Sequence, residues 1–227
     1  GSTPVPHGAR VVDGRGAFLI PGLWDMHVHV MNPDDVEADF PTFLANGVTG
    51  VRDMGNAALS LDRIHALRAE VLSGRRAGPR FVAPGPITDG PPTRWPHSVV
   101  ADTPARARAL VDSLADAGAD FIKVYSRLRP GVFAAIADEA RRRAIPFAGH
   151  VPFTITAAEA SDAGQRSMEH LYGIPEGCSG TEAEVVTGPE VDLAQSGWSA
   201  EPSGTAGPSG PRGPGPSGLD EQRRRGG

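Results

Sequence analysis

The sequence has 227 residues, with 22 Lys+Arg against 27 Asp+Glu and a net charge of −5. This mildly acidic balance argues against a nucleic-acid partner, which needs a basic stripe. The single cysteine, Cys178, excludes an intrachain disulfide framework and a multi-cysteine zinc site. No run of ~18 apolar residues is present, so no membrane partner is expected, and no charged-then-apolar leader opens the chain.

Short apolar runs alternate with helical patterns along the chain. Strand-like runs are Leu23–Val30, entered through Pro21-Gly22, then Val48–Asp53, Arg80–Ala83, Asp120–Tyr125, Pro146–His150 and Arg166–His170. Between them, helical spacing of apolar residues predicts helices over Val36–Ala45, Ala57–Leu72, Pro104–Ala117, Val132–Ala144 and Thr156–Ala163. Thr103-Pro104 makes a cap followed by proline in the first turn. This alternation predicts an α/β fold of parallel βαβ units. Six are visible, where a complete (β/α)₈ barrel needs eight; an open doubly wound sheet is the structural rival. Ala9–Ile20 holds two short β-like runs, Arg10–Val12 and Ala17–Ile20, and reads as the remnant of a preceding β domain. Pro84–His97 reads as a long Pro/Gly-rich loop, functional or mobile.

Chemistry concentrates at strand ends. In a strand, alternate residues share a face, so Asp25, His27 and His29 point one way and Met26 and Val28 the other. Two imidazoles on one face make half a metal site, although an isolated His-x-His is more often an accident. His150 and His170 each end a predicted strand. His65 lies in a helical pattern and His7 near the start, both as solvated side chains, and His97 falls undecided in the Pro-rich loop. Lys123 is the only lysine beside 21 arginines. A lysine inside a barrel must pair with a carboxylate, which arginine could also do, or react with CO₂ as the neutral amine to give a carbamate ligand. Arginine cannot do the latter, because it stays protonated.

These blocks resemble the amidohydrolase superfamily, closest to its imidazolonepropionase-like and prolidase-like metal-dependent hydrolases. The resemblance rests on Gly16–His29 (GAFLIPGLWDMHVH), Gly47–Asp53 (GVTGVRD), Gly118–Tyr125 (GADFIKVY), Ala148–Pro152 (AGHVP) and Ser167–Leu171 (SMEHL), and covers roughly residues 9 to 180. It implies an incomplete (β/α)₈ TIM barrel of about six βα units. It further implies two divalent metal ions, with zinc the expected metal. His27 and His29 would bind the first, the CO₂-derived carbamate of Lys123 would bridge both, and His150 and His170 would bind the second. The implied activity is hydrolysis of C–N bonds in a small-molecule or dipeptide-like substrate. Arg52 and Tyr125 are candidates for holding a substrate carboxylate or carbonyl, the alternatives being a structural ion pair and a core aromatic. Asp25 is the candidate for orienting a ligand from behind, and Glu169 is expected to alternate away from His170 toward the helix layer.

The superfamily's eighth-strand aspartate, which binds the first metal and shuttles the proton, has no match, so no catalytic residue is assigned. Asp192 and Asp220 lack a preceding strand and are not promoted. From residue 180 onward the sequence changes character; residues 201–227 hold 8 Gly and 5 Pro. The expected organisation is residues 1–20 as the remnant of a β-sandwich domain, 21–179 as a partial barrel and 180–227 as a low-complexity, disordered tail. Because the resemblance stops between two barrel units, a frameshifted gene end is the favoured origin of the tail. Whatever that origin, a barrel lacking two units exposes two parallel strand edges and part of its core, so poor solubility and weak or no hydrolysis are expected. Two alternatives stand beside amide hydrolysis: phosphotriester or lactone hydrolysis on the same metal site, and a non-catalytic remnant. A Rossmann-type nucleotide binder is disfavoured, since no G-x-G-x-x-G follows the first strand. Homo-oligomerisation is left open.

Overall fold

The computed structural model describes residues 4–179, which fall within one unit, Gly1–Gly188. The segment expected to be a disordered tail, with Asp192 and Asp220, lies outside the described residues. Among the described residues there are seven strands: β1 (Leu23–Val28), β2 (Val48–Asp53), β3 (Arg80–Val82), β4 (Ile87–Asp89), β5 (Val99–Val100), β6 (Ile122–Val124) and β7 (Phe147–Gly149). The helices are α1 (Pro33–Ala45), α2 (Leu61–Leu72), α3 (Pro104–Asp116), α4 (Pro130–Arg142), α5 (Ala157–Asp162) and the short α6 (Ile174–Gly177). All strand pairs are parallel, in the orders β1-β2-β3 and β5-β4-β6-β7. The amide of Asp120 donates to the Ala83 carbonyl at 3.1 Å and links the two sheets. Among the described residues, no helix is long and apolar enough to cross a membrane.

Local sequence sets the helix starts. Ser60 and Thr103 accept from the amides of Arg63 (3.3 Å) and Arg106 (3.2 Å) at the beginnings of α2 and α3. Thr156 and Glu159 form a reciprocal capping box on α5. The helices cover one face of the sheets. Ile122 and Val124 of β6 and Phe147 of β7 pack with Val111, Ile136 and Ala140 from α3 and α4. Val28, Val30 and Val51 pack with Phe40 of α1 and Ile64 and Leu67 of α2. Each fully buried aliphatic side chain contributes roughly 1.5–3 kcal/mol. Strand alternation then turns the intervening residues, His27, His29 and Lys123, onto the opposite, inner face.

Three sequence expectations need correction. Pro84–His97 is not a plain loop: Ile87–Asp89 is a sheet strand, paired with β6 through Ile87↔Lys123 and Thr88↔Val124. Arg166–His170 is not a strand; its pairing is a single bridge, Met168 to Gly149, followed by a 3₁₀ turn over Glu169–Leu171. The β-like runs before β1 form no strands. Their apolar side chains, Val11, Val12, Phe18 and Leu19, are exposed and meet no partner strand among the described residues.

Gly149 is required where β7 meets β6. Its φ is 143°, and a Cβ there would lie 2.1 Å from the Val124 carbonyl oxygen. Gly149→Ala is therefore expected to destabilise the chain by about 2–4 kcal/mol, read from urea midpoints, because backbone rather than a flexible side chain must give way.

Candidate functional site

Five of the residues singled out in the sequence meet at the C-terminal ends of β1, β6 and β7. Beyond Val28, the chain carries His29 outward, while Val28 and Val30 stay buried against α1 and α2. The Nε2 atoms of His27 and His29 face each other at 3.3 Å. The His170 ring stands 4.6 Å from that of His27 and 5.1 Å from that of His150. Lys123 lies at the floor, 1% exposed, with Nζ left without a hydrogen-bond partner. His29 and His170 open to solvent, whereas Lys123 and His150 are closed off. The cluster therefore has an exposed rim and a buried floor.

The protein grips the Nδ1 side of three imidazoles. His27 Nδ1 meets Glu169 Oε2 at 2.7 Å, His29 Nδ1 donates to the Gly55 carbonyl at 2.8 Å, and His150 Nδ1 meets Ser126 Oγ at 2.8 Å. A proton on Nδ1 leaves Nε2 with its lone pair free. With both protons so placed, His27 and His29 present two acceptors to one another. A cation between them satisfies both: two nitrogen ligands at roughly 2.0–2.1 Å around a tetrahedral zinc lie about 3.3–3.4 Å apart. The donor set and the orphaned amine thus fit a divalent metal. Among the described residues, no three His, Cys, Asp or Glu side chains already converge as a ready ligand shell; the rings of His150 and His170 stand edge to face, and a lysine is not itself a donor of that kind.

Burial tunes the floor. It pulls the Lys123 ammonium down to about 8, partly opposed by Glu169 and reinforced by Arg52. Burial pulls His150 down to about 2, with Lys123, His170 and His27 adding positive charge nearby. Burial would raise Glu169, but hydrogen bonds from His27 and Ser167 and the Arg52 charge hold its carboxyl down to about 2. Asp53 is pushed up to about 6 by burial, despite accepting from the amides of Val30 and Gly55, both at 2.8 Å.

The remaining expectations fare differently. Glu169 does not face the helices; it is 7% exposed and contacts His27, Arg52 and Ser167. The alternation argument presumed a strand, but His170 and Leu171 both adopt φ of 61°, and the chain turns instead. Asp25 accepts from the backbone amide of His27 (3.1 Å), while the His27 ring meets Glu169 Oε2 through Nδ1. Arg52 is held within the protein, donating to the Met26 carbonyl (2.7 Å), Ser167 Oγ (2.9 Å) and Glu169 Oε1 (2.7 Å). Tyr125 packs its ring 4.0 Å from that of His150 and accepts from Trp95 Nε1 at 2.9 Å, so it forms one wall of the pocket. Sequence reasoning missed two residues here. Tyr172 lies against both His150 and His170, and Trp95 comes from the Pro-rich segment. Among the described residues, no aspartate touches an imidazole of the cluster; Asp25 and Asp53 accept from backbone amides.

A model of the amidohydrolase family matches residues 18–188. The chain belongs to the amidohydrolase family. It is 35% identical over 91 residues to a dihydroorotase of Pelobacter propionicus, covering 37% of this chain and 22% of that protein. It is 38% identical over 79 residues to an adenine deaminase of Deinococcus deserti, covering 34% and 14%. Among solved structures, a bottromycin amidohydrolase superposes with a TM-score of 0.57 at 33% identity, over 67% of this chain and 33% of that one. The match therefore spans a third or less of the length of these relatives, and the chain's parallel strands form part of the family's barrel.

Proposed function

We propose that this amidohydrolase contributes the metal-binding floor of a hydrolase acting on C–N bonds of a small-molecule or dipeptide-like substrate. The observation that carries the reading is the meeting of His27, His29, His150 and His170 above a buried Lys123 amine that has no hydrogen-bond partner. The names of its relatives, dihydroorotase, adenine deaminase and amidohydrolase, support carbon–nitrogen chemistry.

In this reading His27 and His29 would hold one divalent ion and His150 and His170 a second, and the Lys123 amine, after adding to CO₂, would supply an anionic oxygen ligand beside them. That addition forms an N–C bond and releases one proton, leaving an anionic carbamate with two oxygens. Bound there, the metals supply Lewis acidity, which lowers the pKa of water and polarises a carbonyl. The chain's own groups do the rest. Glu169, Gly55 and Ser126 fix the rings from behind, and the low pKa of His150 keeps its nitrogen unprotonated near neutrality. Tyr125 and Tyr172 wall the pocket, so a substrate enters past His29 and His170.

The test is metal content. The full chain, purified with zinc and bicarbonate, is expected to retain two zinc ions per molecule by elemental analysis. No retained zinc would overturn the reading. A panel of cyclic amides, N-acyl amino acids, lactones and phosphotriesters then separates the chemistries, the expected result being that whatever turnover the chain has is confined to the amides.

A further inference from the structure

Glu169 sits at the centre of a network that joins three separate parts of the chain. Its Oε2 meets His27 Nδ1 at 2.7 Å; its Oε1 accepts from Arg52 and from Ser167 Oγ, each at 2.7 Å. The Arg52 guanidinium also donates to Ser167 Oγ (2.9 Å) and to the carbonyl of Met26 (2.7 Å), the residue just before His27. One side chain of β2 therefore grips both the backbone beside the imidazole and the carboxylate behind it. Both carboxylate oxygens are used, and the side chain is 9% exposed. The turn that delivers it is a strained one: His170 and Leu171 are consecutive non-glycine residues at φ 61°, a conformation costing roughly 1–2 kcal/mol per residue. That turn lets Glu169 reach His27 while His170 packs on the same ring.

We propose that Glu169 is a positioning residue that holds His27 in its Nδ1–H form, so that the Nε2 lone pair is aimed at the cation, with Arg52 and Ser167 locking the carboxylate. The inference rests on the metal-binding reading above. A carboxylate accepts on both oxygens, so it satisfies His27 and Arg52 together. A glutamine cannot. With its oxygen toward Arg52, its NH₂ faces Nδ1 and moves the imidazole proton to Nε2, where it blocks a metal.

The experiment uses the full, metal-free chain labelled with ¹⁵N at histidine, at a pH where the imidazoles are neutral. In the wild type, the His27 ring is expected to show a protonated Nδ1 and a bare Nε2. In Glu169→Gln the proton is expected on Nε2, and zinc affinity is expected to fall about 10–100-fold, the usual effect of losing a carboxylate behind a ligand histidine. Glu37→Gln, the same carboxylate-to-amide change at an exposed position paired with Arg76 and outside this network, should keep the tautomer and stay within about threefold of wild-type affinity. A wild-type His27 already protonated on Nε2 overturns the proposal and needs no variant to fold. So does a folded Glu169→Gln chain with unchanged tautomer and zinc affinity. A wild type that binds no zinc but shows the expected tautomer overturns the metal reading alone, which keeps the two failures distinct.

Discussion

Replacing Lys123 with methionine is expected to make the metal-free chain more stable and to cost it the second zinc ion. Lys123 is 1% exposed, and its Nζ has no hydrogen-bond partner. Burial brings its pKa from 10.5 to about 8. The unfolded chain therefore holds this proton more tightly than the folded one, and below about pH 8 the folded state carries the penalty of a buried ammonium. Methionine has a similar length, no charge, and a thioether that tolerates an irregular cavity. Its gain is expected to be about 1–3 kcal/mol, seen as a higher urea midpoint at pH 7. The functional loss follows from the same atom. Without an amine there is nothing for CO₂ to add to. With ¹³C-labelled bicarbonate the wild type should show a carbamate carbon signal, and the methionine variant none. Lys123→Arg should also show none, because a guanidinium remains protonated. A methionine variant that is less stable, or that still binds two zinc ions, would show that Lys123 is a structural residue.

Much of this site was legible because strand alternation is a strict geometric rule. Leu23–Val28 needed only its period to place His27 opposite Val28, and Ile122 and Val124 did the same for Lys123. The lone lysine among arginines marked the floor. What was not legible depends on departures from regular strand. Ile87–Asp89 is three residues long and bracketed by Pro84-Gly85-Pro86 and Gly90-Pro91-Pro92. A period-two pattern needs more residues than that, and the prolines argued for a loop. Glu169 was assigned by alternation to the wrong side because the chain holds one bridging residue, Met168, and then enters a left-handed turn. Nothing local announces that turn, since neither His170 nor Leu171 is a glycine. Arg52 could be placed near the inner face, but its partner lies 117 residues onward, a pairing that only the fold creates.

The two halves of the histidine cluster are also built differently. His27 and His29 are oriented by groups that keep their own charge or dipole fixed, a carboxylate clamped by Arg52 and a backbone carbonyl clamped through Asp53 and the Gly55 amide. His150 depends on burial and a hydroxyl. The first pair is thus held by directed electrostatics at a solvent-facing rim, and His150 by exclusion of water. That difference places the strongest pH sensitivity of the metal-free fold at His150.

Acidifying the metal-free chain is accordingly expected to destabilise it, beginning near pH 6.5. His150 is lowered from 6.5 to about 2, first by burial and then by neighbouring positive charge. Between those values the unfolded chain binds a proton that the folded chain refuses, so stability falls as pH falls, by about 1.4 kcal/mol for each unit. His29 and His170 are also lowered, chiefly by burial, and act with the same sign. Asp53 and Asp89 act against them. Both are raised by burial, Asp53 to about 6, so between that pH and 3.8 the folded state binds the Asp53 proton and gains stability as pH falls. His150 begins to cost stability near pH 6.5, above the pH of about 6 where Asp53 begins to return it, and the lowered His29 and His170 add to the loss, so the net slope is a loss toward acid. Urea midpoints measured with chelator at pH 7, 6 and 5 should show it. His150→Gln keeps an amide opposite Ser126 and has nothing to titrate there, so its stability should fall less steeply, by about 1.4 kcal/mol per pH unit. A variant that loses stability as steeply as the wild type would move the acid sensitivity away from the pocket floor and onto the rim histidines.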